Sequence, residues 1–325
     1  MEKILVTGGC GFIGSNFIRY ILKKYPHYKI INLDKLTYAG NIENLRDIEK
    51  DPRYKFIKGD ICDQRVVKKL LRAVDIVINF ASETHVDRSL QNAKNFLKTN
   101  FYGTYVLLEA ARERKTKLYL QISTDEVYGS RKEGFFQENS PLNPSNPYSI
   151  SKASADLLVL SYQRTYKIPV IIARSSNNFG PYQYPEKIIP LFITNLLENK
   201  KVPLYGDGSN IRDWLYVLDN ISAIDLLLHK GKPGEIYNIG GGNFLSNLQL
   251  AKILLKLLGK KEDFIQYVPD RPGHDFRYAL DSTKIRNLGW KPKHNFLSAL
   301  KETVEWYKKN KSWWKPLKKE GKKIW

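Results

Sequence analysis

Tyr148 and Lys152 stand four residues apart in Tyr148-Ser149-Ile150-Ser151-Lys152, a spacing that puts both side chains on one helix face. An ammonium beside a phenol favours the phenolate and makes tyrosine a usable base. The same pair also decorates solvated helix faces, so a second element has to decide. Ser123-Thr124 follows the apolar run Leu118–Ile122 and is itself followed by Asp125-Glu126. That places hydroxyls and two adjacent carboxylates at the C-terminal edge of a strand, where ligands bind in open α/β sheets. Adjacent acids in a loop are commonly just solvated. Here Thr124, Tyr148 and Lys152 point to the same cavity, and an Asp-Glu pair suits a reaction that needs both an acid and a base, such as elimination of water.

A second constellation opens the chain. Ile4–Val6 runs into Gly8-Gly9-Cys10-Gly11-Phe12-Ile13-Gly14 and then into a helical pattern. Glycines at Gly8, Gly11 and Gly14 permit a tight turn, close approach of backbone to a pyrophosphate, and close helix packing. The helix N-terminus then faces the pyrophosphate. Asp34 follows Gly14 by 20 residues, at the end of the next apolar run. A carboxylate there accepts from both ribose hydroxyls and repels a 2′-phosphate, so the pattern predicts NAD rather than NADP. Lys35 weakens that exclusion slightly. Asp60 either faces the adenine or is a turn residue after Gly59.

The elements that position these groups follow from the apolar pattern. Ile4–Val6, Ile30–Leu33, Tyr54–Ile57, Ile76–Phe80, Leu118–Ile122 and Val170–Ala173 are short continuous apolar runs, as expected of parallel strands covered on both faces. Ile13–Lys24, Ile42–Lys50, Arg65–Arg72, Asn92–Arg114 and Asn146–Tyr166 read as helices between them. The alternation predicts an α/β protein, a doubly wound parallel sheet of the Rossmann type. Residues 1–174 form its cofactor domain, with a later return near 212–240 that includes Ile236–Ile239. Residues 175–325, richer in Pro and Gly, read mainly as a smaller substrate-binding lobe over the strand ends.

The 325 residues suffice for a large core with a smaller second lobe. The charge of +20, from 53 basic and 33 acidic residues, is compatible with nucleic-acid binding. The basic residues are scattered outside the tail, however, and no zinc-finger or aromatic-interleaved RNA motif is present. An anionic small molecule explains the bias as well, and no nucleic-acid partner is expected. Two cysteines, Cys10 and Cys62, cannot build a disulfide framework or a four-ligand zinc site, so no metal is expected. No apolar stretch of spanning length and no signal-peptide pattern is evident, which predicts a cytoplasmic protein away from membranes.

Together, the glycine loop, Ser123-Thr124 and Tyr148/Lys152 resemble the extended branch of the short-chain dehydrogenase/reductase superfamily. Further segments resemble the dTDP-glucose 4,6-dehydratase family over nearly the whole chain: residues 34–41, Glu83-Thr84-His85-Val86-Asp87-Arg88-Ser89, residues 176–183, Tyr205 to Trp214, and Arg271-Pro272-Gly273-His274-Asp275. Departures from the family pattern are Phe244, Asn220 after Asp219, and Ser82 and Thr84 around Glu83. A nucleotide-sugar 4-epimerase is the nearest alternative, disfavoured by Asp125-Glu126. A non-catalytic NAD-sensing protein is the alternative from another class.

The resemblance implies a mechanism and a residue set. Tyr148 takes the O4 proton of a hexose while NAD takes the C4 hydride, with Thr124 holding O4. Lys152 binds the nicotinamide ribose and tunes Tyr148. Glu126 abstracts the C5 proton, Asp125 protonates the departing C6 hydroxyl, and the hydride returns to C6. The product is a 4-keto-6-deoxy sugar, a precursor of rhamnose-type deoxysugars. The implied cofactor set adds Phe12, Ile13, Lys35, Thr37, Ile61, Ala81, Thr99 and Asn178. On the dTDP-glucose substrate, Arg212 and Arg271 take the phosphates, and Glu186, Lys187 and Tyr205 the thymine and deoxyribose. Asn177, Asn247 and His274 support them, and His85 and Ser89 stand beside the sugar. Arg212 with Asp213 as an ion pair, or Tyr205 as a packing aromatic, is the alternative in that lobe. The superfamily pairs two long helices per subunit into a homodimer, matched here by Asn92–Arg114 and Asn146–Tyr166. Leu97, Phe101, Tyr105 and Leu108 form a stripe that is either interface or core.

Overall fold

A computed structural model describes residues 2–321. Seven strands form a wholly parallel sheet: β1 (Lys3–Thr7), β2 (Lys29–Asp34), β3 (Tyr54–Lys58), β4 (Ile76–Asn79), β5 (Leu118–Thr124), β6 (Val170–Ser175) and, after three strands elsewhere, β10 (Ile236–Ile239). Their spatial order is β10-β6-β5-β4-β1-β2-β3. The direction of winding reverses between β1 and β4, so the crevice of this doubly wound sheet opens at the C-terminal ends of those two strands. The strands alternate sides. Ile4 and Val6 of β1 enter one apolar cluster and Leu5 the other. The first cluster packs helices Phe12–Lys24 and Val217–Lys230 on one face, and the second packs Gln64–Leu71, Gly103–Arg114 and Pro147–Tyr166 on the other. Both faces being covered explains why the central strands read as unbroken apolar runs.

The remaining strands build two small sheets. β9 (Ile211–Tyr216) lies between β7 (Asn177–Phe179) and β11 (Phe244–Ser246), and β8 (Val202–Tyr205) pairs with β12 (Ile265–Val268). The chain that returns to the main sheet is the helix Val217–Lys230 with β10, whereas β9 itself stays in the three-stranded sheet.

Two expected helices differ in form. The segment expected as a helix over Ile42–Lys50 is a 3-10 turn, Ile42–Ile48, because the Asn41 side chain accepts from Glu43 N and the Asn41 carbonyl from Asn44 N. The helix expected over Asn92–Arg114 is broken into Ala93–Phe96, a π turn over Leu97–Tyr102, and Gly103–Arg114. The π turn lets Asn100 reach inward, where its amide spans Glu83 N (2.9 Å), Glu83 O (3.0 Å) and Ser151 Oγ (2.8 Å). Gly103 then meets Ile61 so closely that a Cβ would lie 2.4 Å from Ile61 Cδ1. The stripe along this segment divides: Leu97, Phe101 and Tyr105 are exposed, whereas Leu108 is core.

One buried ion pair ties the sheet to the helix Pro147–Tyr166. Asp156 Oδ2 accepts from Arg174 Nε on β6 (2.8 Å) and from Ser123 Oγ on β5 (2.9 Å), and Arg174 Nη1 donates to the Tyr128 hydroxyl (2.8 Å). Both charged side chains are excluded from solvent. Asp156→Ala leaves the Arg174 charge uncompensated and is expected to cost about 3–5 kcal/mol in chemical denaturation. A loss below about 1 kcal/mol would show the pair to be dispensable.

Candidate active site

The cleft at the strand ends encloses about 1570 Å³ counting its open mouth. Its floor is the glycine loop. Gly8 has φ +69° and lies against β4's exit, where a Cβ would meet the Ala81 backbone at 2.6 Å. A Cβ on Gly14 would lie 2.5 Å from Gly8 O. Helix Phe12–Lys24 begins at Gly11 with no side-chain cap, so its first N–H groups face outward for an anion. Asp34 ends β2 in the same cleft, buried, accepting from Cys10 N (2.9 Å) and Leu36 N (2.8 Å). This set fits a dinucleotide with free ribose hydroxyls, that is, NAD. Phe12, Ile13, Lys35, Thr37, Asp60, Ile61, Ala81, Thr99 and Asn178 also line the cleft. Lys35 and Asp60 neutralise one another at 2.8 Å, so Asp34 keeps its charge bias and Asp60 already has a partner.

Beyond the floor stand Thr124, Asp125, Glu126, Tyr148 and Lys152. The Thr124 hydroxyl donates to Asp125 Oδ1 (3.1 Å), accepts from Glu126 N (3.3 Å) and hydrogen-bonds the Tyr148 phenol. Lys152 differs from expectation. Its ammonium donates to the Ile122 carbonyl at 2.7 Å, and burial lowers its pKa to about 8 against the pull of Asp156. Tyr148 is not drawn down: burial first, then the charges of Glu126 and Asp125, raise it well above the ordinary phenol range, and Thr124 opposes. The i,i+4 spacing placed both groups on one face, but the Ile122 carbonyl of β5 takes the ammonium.

The two carboxyls have unequal surroundings. Burial and then the Glu126 charge hold Asp125 well above the usual carboxylate range. Burial also raises Glu126, but Arg271, Lys187 and Arg212 all favour its ionised form. Both are raised, Asp125 the further, so Asp125 holds its proton to higher pH than Glu126. Asp125 Oδ2 and Glu126 Oε2 are buried without a hydrogen-bond partner among the described residues.

Four of the residues expected on the substrate line or touch this cleft through side-chain atoms of distinct kinds. Asn177, Glu186 and Lys187 line it, and the Asn177 Oδ1 and Glu186 Oε1 atoms are buried without a hydrogen-bond partner among the described residues. Thr124 is the fourth. Lys187 Nζ donates to Thr84 O (2.9 Å), and Glu186 Oε2 takes Arg88 in two bonds (2.7 and 3.1 Å). Seven others are not in the cleft lining: His85, Ser89, Tyr205, Arg212, Asn247, Arg271 and His274. Arg271 Nη1 and the Tyr205 hydroxyl both reach the Asp87 carboxylate (3.2 and 3.4 Å), and His274 Nδ1 meets Asp270 Oδ1 (2.6 Å). Arg212 donates to the carbonyls of Ile211 (2.8 Å) and Asp275 (2.9 Å) and lies over the Tyr278 ring. It does not pair with Asp213, whose carboxylate accepts from Asn243 N. His85 is buried near Asp87, and desolvation with Lys187, Arg88 and Arg271 lowers its pKa to about 2, so it is a neutral imidazole. The Ser89 hydroxyl donates to Val86 O (2.6 Å), and Asn247 opens a helix with its N–H on Asn210 O (3.0 Å).

Sequence reasoning passed over Asp87, Arg88 and Asn100. Asp87 and Arg88 sit in the quoted segment between His85 and Ser89, where only their mixed charge marked them. Asn100 gave no signal, because a π turn brings it inward. The departures from the family pattern are also placed. Asn220 Oδ1 accepts from Ser175 Oγ (2.8 Å), and His294 supplies an imidazole to Asp219 (2.8 Å). Phe244 packs edge-on to Phe135.

The profile of the GDP-mannose 4,6 dehydratase family matches residues 5–303. A dTDP-glucose 4,6-dehydratase of Streptomyces niveus is 51% identical over 321 residues, covering 97% of this chain and 96% of the relative. The chain belongs to the dTDP-glucose 4,6-dehydratase family. The crystal structure of DesIV, the dTDP-glucose 4,6-dehydratase of Streptomyces venezuelae, solved with NAD bound, superposes with a TM-score of 0.96 at 49% identity, covering 97% of this chain and 100% of that one. The UDP-glucose 4-epimerase of Thermotoga maritima is more distant, with a TM-score of 0.88 at 31% identity over 95% of this chain and 99% of that one.

A carboxyl raised by folding binds its proton more tightly in the folded chain than in the unfolded one. Stability therefore falls as pH rises from about 4 into the neutral range. Asp125→Asn and Glu126→Gln are each expected to stabilise the cofactor-free protein by about 0.5–2 kcal/mol at about pH 7.5. That gain should shrink to nothing as pH is lowered to about 4, read by denaturant titration at each pH. A gain independent of pH would show that neither carboxyl is raised.

Proposed function

We propose that the chain is an NAD-dependent dTDP-glucose 4,6-dehydratase, a hydro-lyase that forms dTDP-4-keto-6-deoxyglucose. The observation that carries this reading is the unequal carboxyl pair: a proton-holding Asp125 beside an ionisable Glu126, within one buried wall that also holds Thr124 and Tyr148. A 4-epimerase has no use for that pair. NAD, when bound, supplies the acceptor and then the donor of one hydride, so the reaction is redox-neutral and the cofactor is not consumed. Tyr148 accepts the O4 proton as C4 is oxidised, with Thr124 holding the oxygen. Burial holds its pKa high in the free chain, so it must lose its own proton before it can take that of O4. Lys152, fixed by the Ile122 carbonyl, stands ready for the nicotinamide ribose. The C4 ketone acidifies the C5 proton, which Glu126 takes, while Asp125 protonates the C6 hydroxyl so that it departs as water.

The diphosphate accounts for the cationic lobe. Arg271 and Arg212 are the phosphate ligands in this reading, after exchange of their present partners Asp87 and the backbone carbonyls. Glu186, with its buried Oε1, and Lys187 address the base, Tyr205 the deoxyribose, and His85 and Ser89 the sugar side. The thymine methyl supplies only about 1–3 kcal/mol of preference over uracil.

Among the described residues no helix is long and apolar enough to cross a membrane. The cytoplasm is the proposed compartment. The proposed partner is a second copy of the chain, on the exposed apolar face made by Leu97, Phe101 and Tyr105 with Ile150 and Leu157 of the helix Pro147–Tyr166. A patch of this kind marks a protein contact.

Incubated with dTDP-glucose, the enzyme should yield a product lighter by one water, with no net NADH, as read by mass spectrometry. Unchanged mass with a C4 epimer on a sugar-resolving column would assign the epimerase instead. Glu126→Gln and Asp125→Asn should each slow dehydration by about 10²–10⁴. Only Glu126→Gln should also stop exchange of the C5 proton with deuterated water. If Asp125→Asn dehydrates normally, the division of roles is wrong. In sedimentation velocity the protein should run as a dimer and Phe101→Glu as a monomer, since one buried charge at such an interface costs several kcal/mol. A monomeric parent chain removes the partner.

A further inference from the structure

The basic C-terminal segment takes no part in the chemistry above, and it lies beyond residue 303, where the family profile ends. The structure shows it as a helix, Lys311–Gly321, that hydrogen-bonds Asn44 and the cleft-lining Tyr184. Two connections reach the cleft. On one side, Trp313 Nε1 donates to Asn44 Oδ1 at 2.8 Å, and Asn44 Nδ2 donates to Cys10 O at 2.8 Å. Cys10 lies within the glycine loop, and its carbonyl also accepts from Asn41 N at 3.0 Å. On the other side, the Leu317 carbonyl accepts from the Tyr184 hydroxyl at 3.2 Å, and Tyr184 lines the cleft.

Tyr182 sits between these two lines. Its ring meets Trp306 (4.8 Å between centroids) and Trp313 (5.9 Å), and the Arg19 guanidinium lies over the Tyr182 ring, 4.2 Å from its centroid. The residue holds a φ of +68°, a conformation a bulky side chain adopts only where its surroundings impose it. The amide of Asn44 is fully buried and satisfied on both its oxygen and its nitrogen by this chain of bonds. Removing the indole N–H would therefore strand a buried acceptor next to the loop that faces the pyrophosphate.

We propose that Trp313 and Asn44 are positioning residues for NAD, and that the C-terminal helix is a strap holding the glycine loop and the Tyr184 wall together around the cofactor. The inference rests on the dinucleotide reading of the cleft and gives it a consequence. A redox-neutral enzyme gains from keeping its cofactor through many turnovers, and the strap slows NAD release without touching the reacting atoms.

The test uses the purified holoenzyme and follows NAD release into excess alcohol dehydrogenase with ethanol, which converts free NAD to absorbing NADH. Trp313→Phe keeps the ring and loses the donor. It should speed release about fivefold, equivalent to about 1 kcal/mol. It should also raise the KM for added NAD while leaving kcat at saturating NAD near the parent value. A chain ending at Asn310 should release faster still and purify with less bound NAD. Trp314→Phe is the structural comparator: its indole donates to Tyr307 O (2.8 Å) within the core and has no link to Asn44. It should lower thermal stability without changing release. Equal release from Trp313→Phe and the parent overturns the strap, as does equal acceleration by both tryptophan variants. The release assay needs no turnover, so it decides the strap even if the substrate assignment fails. A parent chain that holds no NAD overturns both readings.

Discussion

The structure depends on keeping two adjacent carboxyls dry at the end of β5 while giving them different company. Burial alone would raise both and leave them interchangeable. The difference comes from direction: Asp125 feels chiefly its neighbour's negative charge, whereas Glu126 faces Arg271, Lys187 and Arg212. Those cations come from segments that follow β6 in the chain. The difference between the two carboxyls at the end of β5 therefore depends on side chains that come from far along the chain.

Holding that wall still requires a braced helix. Asp156, one turn beyond Lys152, takes Ser123 and Arg174, and Arg174 takes Tyr128. Ser151, next to Lys152, is held by Asn100 from the π turn. The helix that carries Tyr148 and Lys152 is thus fixed from the sheet beneath and from the π turn beside it. Each bond is buried, where a hydrogen bond to a charged group is worth most and a missing partner costs most. Charged side chains after residue 200 also find partners. Arg271 Nη1 and Tyr205 meet Asp87, His274 meets Asp270, and Arg212 meets backbone carbonyls, while Arg271 Nε is buried without a hydrogen-bond partner among the described residues.

Much of the cofactor domain was readable in advance. Continuous apolar runs are what doubly covered parallel strands require, and six of them correspond to β1–β6. The glycine loop was legible because backbone approach and positive φ demand glycine wherever they occur, as at Gly8. The Asp34 position followed from the strand–turn–helix frame. The catalytic residues were legible as types at a spacing, which assembles them but does not orient them.

What the sequence by itself determined is local: the strands, the glycine turn, the family pattern, and the presence of Thr124, Asp125, Glu126, Tyr148 and Lys152 at one sheet edge. Only the tertiary structure decided which groups those residues meet. Lys152 bonds the Ile122 carbonyl, and the pKa of Tyr148 goes up because burial first, and then the charges of Glu126 and Asp125, disfavour the phenolate. Leu108 turns inward while Leu97, Phe101 and Tyr105 stay exposed, and Trp313 reaches Asn44 across 269 positions of chain. The reason is the range of the forces. Backbone conformation and side-chain period are set by near neighbours, whereas desolvation and charge pairing depend on which distant segments fold against the group.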